Sequence, residues 1–233
     1  MADIRIPRSP HMLTDRTHLL RILHLASPAL PIGAFHFSQG LEYAVEANWV
    51  RDEPSSRTWI AGVATHSIGT LDLPVLLRLH RAASIDDADD LRRWDRFLLA
   101  ARETEELRAE DRHMGSALAR ILRELGALGS SPTGQPGYAR MFAVACAHWN
   151  IAEGDALQAY AWAWAENQIL AAVKLVPLGQ SAGQRLLHSL VPLLEEIATQ
   201  AFDIDDDDIG ACAVMQGLAS ARHEYQYTRL FKS

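Results

Sequence analysis

Hydrophobic positions recur at three- and four-residue spacing along most of this chain, and that period predicts helices. Leu19, Ile22, Leu23 and Ala26 make one such face, with Thr14 and Asp15 able to cap the helix before it. Ser27-Pro28 ends that helix. The stretch Pro28 to Phe37 then sets Pro28, Pro31 and Gly33 among Leu30, Ile32, Phe35 and Phe37, which predicts a rigid turn too apolar for solvent and tucked into the body. A helix start at Ser38 leads into the stripe Leu41, Ala44, Val45 and Trp49, and Gly33 and Gly40 permit backbone conformations or close approaches that other residues resist. Pro54-Ser55-Ser56 opens a helix to about Thr70, and Pro74 sits in the first turn of the next. Asp86 to Asp90 forms an acidic cap for Leu91, Trp94, Phe97 and Leu98. A polar-faced helix laced by Arg102, Glu103, Glu106 and Arg108 continues through Met114, Leu118, Ile121 and Leu125, and Gly126 to Gly137 reads as a surface loop.

Met141 to Trp149 predicts a short apolar helix. Asp155 to Val176 predicts a long one, roughly 33 Å, apolar in nearly every direction and so covered by protein on most sides. Its one lysine, Lys174, must reach a cleft or an interface, or be paired, because an unpaired buried ammonium is too costly. Pro177 and Gly179 stop this helix. Gly183 to Gln200 resumes one that Pro192 must kink or interrupt, and Asp205 to Asp208 offers negative charge to the start of a last helix. No alternating run long enough for a strand is present. The expected fold is all-α: a single-domain helical bundle of roughly ten helices over residues 14–222, with a disordered leader at 1–13 and a partner-binding tail at 223–233.

Composition narrows the function classes. A chain of 233 residues with 48% hydrophobic content can fill one large core, while a net charge of −7 argues against general nucleic-acid binding and against acidic substrates. Cys146 and Cys212 make neither a disulfide framework nor a zinc signature, so a reducing compartment is expected. The first residues lack a signal-peptide core, and the Ile169 to Leu178 stretch is too short to span a bilayer; a soluble cytoplasmic protein follows as the expectation.

Candidate chemistry is sparse. Ten scattered histidines contain no His-Glu-x-x-His pair, and Cys146 and His148, two apart on a helix, point away from each other. His36 in the apolar turn reads as a structural histidine before a functional one. A phosphate loop and a Gly-x-Ser-x-Gly elbow are both missing. Glu103, Glu105 and Glu106 have arginines at helical spacing and read as a solvated ion-pair face. Two features stand out instead: Lys174, and a tail that mixes Arg222, Arg229 and Lys232 with Tyr225, Tyr227 and Phe231, the residue types that anchor interfaces. As a free end that tail exposes several aromatics, so it is expected to order on a partner.

Four segments carry a family resemblance. Leu25-Ala26-Ser27-Pro28-Ala29-Leu30-Pro31-Ile32-Gly33 running on to Phe37-Ser38-Gln39-Gly40-Leu41-Glu42, then Arg102 to Arg108, then Ala172 to Leu187, and the ending Arg222-His223-Glu224 through Thr228 to Ser233 resemble, in order, the urease accessory protein UreF family. Ala34 stands where that family often has a second glycine, Lys232 where arginine is usual, and Ile209 to Met215 lacks a frequent proline. The resemblance implies an all-helical, dimeric, non-catalytic assembly factor for nickel insertion into urease. It implies a UreD- or UreH-like partner, a UreG-like GTPase and the urease apoprotein, with nickel, GTP and Mg²⁺ on the partners and no cofactor here. Arg222, Tyr225, Tyr227, Arg229 and Phe231 would contact the UreD-like protein; Lys174, Gln180, Gln184 and Arg185 would face the GTPase, whose activity the family has been regarded as regulating. Pro28, Pro31, Gly33 and Gly40 would shape the N-terminal turn. The competing class is a helical enzyme or carrier with His and Cys around a metal, and a third is a plain structural subunit.

Overall fold

The structure is a computed structural model, and it describes residues 17–128, 134–211 and 213–233. The leader at 1–13, the capping positions Thr14 and Asp15, and Cys212 lie outside the described residues. Nine helical rods appear among the described residues: α1 (Thr17–Leu25), α2 (Leu41–Glu46), α3 (Glu53–Ser84), α4 (Ala88–Ala101), α5 (Glu105–Glu124), α6 (Tyr138–His148), α7 (Glu153–Leu175), α8 (Gln180–Gln200) and α9 (Val214–His223). The fold is all-α.

Local chemistry explains the starts. Asp52 accepts from the Ser55 amide at 2.9 Å in a reciprocal capping box, with Pro54 in the first turn of α3. Asp87 accepts from the amides of Asp89 and Asp90, and Thr104 from that of Leu107, so α5 starts at Glu105, and Arg102 and Glu103 lie in the link before the helix they were expected to lace. Gly40 precedes α2 with φ 84°, where an added Cβ would stand 2.9 Å from the Ser220 amide nitrogen; its bareness lets α2 and α9 pack.

The two helices expected on either side of Pro74 are one. Ala64–Asp72 winds as a π-helix in the middle of α3, and the widened turns carry the chain into Pro74 without a break. A helical proline orphans the carbonyl four residues back. Here that carbonyl, on Thr70, accepts instead from the Gly210 amide at 3.1 Å. α3 is long and apolar enough, by length and composition, to cross a membrane, but 72% of its most apolar window is buried inside the protein, as in a core helix. Likewise Pro192 does not interrupt α8, which runs through it on an exposed face.

α7 lies at the centre, touching α1, α2, α3, α6 and α8. α6 fills the gap between α3, α4 and α5, and its buried face puts Phe142 against Tyr138 and Tyr160. Asp206–Asp208 is a short 3₁₀ turn rather than the start of the last helix: Asp206 pairs with Arg78 at 3.0 Å, and α9 begins only at Val214.

Candidate functional site

The N-terminal turn, the start of α5 and the C-terminal tail meet at one place. Gly33, at φ 79°, opens the 3₁₀ turn Ala34–His36, while Leu30, Ile32 and Phe37 are buried and Phe35 stays half-exposed, unlike the fully tucked turn expected. Pro28 and Pro31 are exposed on its outer side. At the far end of the chain the tail folds back on this turn. The Lys232 amide donates to the His36 carbonyl at 2.8 Å, and the Ser233 main-chain oxygen accepts from both the amide (2.7 Å) and the hydroxyl (2.5 Å) of Ser38.

Carboxylates hold it there. Glu42 accepts from the amides of Leu230 (2.6 Å) and Phe231 (2.9 Å), and Glu106 accepts from Arg229 at 3.0 Å. Between them lies His223, wholly buried, with Nε2 3.0 Å from Glu42 and Nδ1 2.9 Å from Glu106. Each ring nitrogen thus faces a carboxylate oxygen, one from α2 and one from α5. Glu110 accepts from Gln39 at 2.8 Å and from the Ser233 hydroxyl at 3.1 Å, and burial pushes its carboxyl up to about 7.

Deeper in, Asp72 takes a two-point contact from Arg102 and a bond from the Tyr160 hydroxyl at 3.3 Å. Burial works against the Arg102 charge, but Asp72 and Asp111 outweigh it and hold the guanidinium protonated. Burial raises Asp111 to about 6, with Arg102 pulling the other way. These side chains line a cavity of about 80 Å³ beneath Trp164 and the N-terminal turn.

The tail is therefore a segment with two faces, not a free end. Phe231 (6% exposed) and Ser233 are buried in the chain's own body, which removes Phe231 from the set of anchors available to a partner. Arg222 is exposed, Arg229 is half-exposed and engaged with Glu106, and Tyr225 and Tyr227 stand out at 83% and 104%. Lys174 emerges from α7 onto the same region, its Nζ 5.8 Å from the Phe35 ring centre and 5.4 Å from that of Phe231. Gln180, Gln184 and Arg185 are exposed on the first turns of α8, where Gly183 allows α8 to close on Val173 of α7. Arg185 turns to Glu53 of α3 at 3.0 Å, so Lys174 is joined by contact to the tail rather than to Arg185.

Glu42, Glu106, Glu110 and His223 escaped the sequence reading as site residues. The solvated ion-pair face describes Glu105, which bonds Arg108 and Arg112, but Glu106 one position on is turned inward. Three of the four resembling segments supply Glu42, Glu106 and His223, and that co-occurrence was the available signal; Glu110 lies outside all four. Cys146 is buried and pushed up to about 12 by burial, and His148 is exposed, so the two do not meet. Among the described residues no three His, Cys, Asp or Glu are placed to hold a metal ion.

A sequence model of the UreF family matches residues 50–191, more than half the chain. The urease accessory protein UreF of Alkalilimnicola ehrlichii is 47% identical over 216 residues, 91% of this chain and 95% of that protein. This chain belongs to the UreF family of urease accessory proteins. UreF of Chromohalobacter salexigens is 45% identical over 229 residues, 97% of this chain and 98% of its own length, and that of Teredinibacter turnerae is 44% identical over 217 residues, 92% and 98%. UreF family membership thus extends well past residues 50–191: the Chromohalobacter relationship leaves at most a few residues of this chain unaligned.

Proposed function

We propose that this chain is a cytoplasmic, non-catalytic, dimeric adaptor that serves nickel insertion into urease. It joins a UreD- or UreH-like protein to a UreG-like GTPase and presents both to the urease apoprotein, while nickel, GTP and Mg²⁺ ride on the partners. The observation that carries this reading is the latched tail: His223, Phe231 and Ser233 are spent on holding it, leaving Tyr225 and Tyr227 outward on a fixed support. Exposed aromatics whose backbone is already ordered bind at a lower entropic cost than those on a free end. Tyr225 and Tyr227, with Arg222 and Arg229, face the UreD-like protein; Lys174, Gln180, Gln184 and Arg185 face the GTPase and set its hydrolysis rate.

Co-expression with the urease accessory set tests it. Tyr225→Ala/Tyr227→Ala should lose the UreD-like partner from the eluted complex with helicity and thermal midpoint unchanged, and Lys174→Ala should weaken retention of the GTPase. Full retention of both partners would remove these surfaces from the account. Tight stoichiometric nickel on the isolated chain would favour the metal-carrier reading instead.

A further inference from the structure

A second surface lies beside the latch and carries the opposite sign to the molecule. The stripe Ala109, Arg112, His113, Ser116, Ala117 and Arg120 follows helical spacing along one face of α5 and forms one wall of an open cleft of about 790 Å³. The N-terminal turn forms the other wall with Pro31, Ile32, Phe35 and His36, and the latched tail closes one end with Lys232. No Asp or Glu lines this cleft among the described residues, in a chain with 29 acidic against 22 Lys and Arg side chains. Glu105, outside the lining, pairs with Arg108 and Arg112. Arg120, His113 and Lys232 are exposed, and no salt bridge engages Arg120 or Lys232 among the described residues. Burial first, and then the nearby Lys232, His113 and Lys174, lower the His36 pKa. Gly33 shapes the wall, since a Cβ there would stand 3.1 Å from His113 Nε2.

From this arrangement we infer that the cleft is a docking track for an elongated acidic segment of a partner protein. The form of the cleft decides the occupant. Its cationic side chains run from Arg112, itself paired with Glu105, to Arg120 over about 12 Å of helix and on to Lys232, instead of converging on a point, as a bound phosphate would need. Its walls also supply apolar contacts from Phe35, Ala109 and Ala117, which match side-chain methylenes and not an inorganic anion. Lys232 reaches the track only because the Glu42 and Ser38 contacts hold the tail down, so the latch completes the surface. The inference rests on the adaptor reading and adds to it a surface, a charge and a salt dependence.

The test measures affinity of the full-length protein for the purified UreD-like and UreG-like partners at 50 and 300 mM KCl. Arg120→Gln/Lys232→Gln is compared with wild type and with Arg51→Gln/Arg57→Gln, which removes two exposed charges at the start of α3. The track predicts that the first pair weakens one partner about tenfold at low salt and flattens its salt dependence, with the control pair unchanged. The charge-keeping Arg120→Lys/Lys232→Arg should retain binding, which separates lost charge from lost folding. Equal affinity and equal salt dependence in wild type and Arg120→Gln/Lys232→Gln would overturn the track while leaving the adaptor reading intact. If wild type binds neither partner, the adaptor reading falls and the track with it. Inorganic phosphate is titrated in parallel: binding that Arg120→Gln/Lys232→Gln abolishes, with partner affinity unmoved, would make the cleft a small-anion site and also overturn the inference.

Discussion

The α7–α8 hairpin and the tail latch both present residues expected to meet partners, but they are held by different forces. The hairpin is fixed by apolar packing: Gly183 sits under Val173 and Ile169, Leu186, Leu187 and Leu190 are buried, and the ion pair that joins it to α3, Arg185 to Glu53, is largely exposed. A surface pair of that kind contributes about 0–1 kcal/mol. The latch buries one large apolar side chain, Phe231, and otherwise depends on three carboxylates and one histidine. Packing spread over many contacts tolerates the loss of one, whereas a knot of charges does not. The difference teaches that the tail can be released by a single substitution that leaves the bundle intact, and the hairpin cannot.

The largest effect is expected at the knot. Glu42→Ala removes the acceptor for two tail amides and one side of the His223 bridge, leaving the imidazole with Glu106 alone; each buried donor left without its acceptor costs about 1–3 kcal/mol. Limited proteolysis should then cut after Arg229 in the variant and spare wild type, with α-helical circular dichroism unchanged. A wild-type cleavage rate in Glu42→Ala would mean that the carboxylate does not hold the tail.

Next comes pH. Glu110 titrates at about 7 when folded against 4.5 when free, so the native state holds the extra proton. Its stability contribution is therefore fully present below pH 4.5 and is lost as pH rises to about 7, a change of about 3 kcal/mol. Glu110→Gln should flatten the fall in denaturant midpoint across that window; Asp111, raised to about 6, leaves a residual slope. An unchanged profile in Glu110→Gln would contradict the assignment. The smallest effect belongs to the hairpin. In Gly183→Ala the new methyl would stand 2.7 Å from Val173 Cγ2, and overpacking of this kind costs about 1–3 kcal/mol. That loss should be the same at pH 5 and pH 7; a pH-dependent loss would blur the contrast between the two regions.

Helix identities were legible because their signals are local: Pro54 in the first turn of α3, the acidic run from Asp86 to Asp90 before α4, and three-and-four spacing of apolar side chains; the cap at Thr104 went unread, so α5 was expected to begin too early. The continuity of α3 was hidden because it depends on a π segment and on Gly210, 140 positions from the Thr70 carbonyl it satisfies. The same holds for the tail. Its aromatic and basic composition marked it as unusual, but which residues turn inward is decided by Ser38, Glu42, Glu106 and Glu110, more than 100 positions away, and no periodicity reports such pairings. The resembling segments pointed at the right stretches without saying that they touch one another.

Hydrogen–deuterium exchange on the isolated wild-type chain, resolved at the Leu230 and Phe231 amides, tests the central claim most directly. The latch predicts that both amides exchange far more slowly than that of Tyr227 with no partner present, and that Glu42→Ala brings them to the Tyr227 rate. Exchange of Leu230 and Phe231 at the unprotected rate in wild type would show that the tail is free until a partner orders it, and would contradict the account.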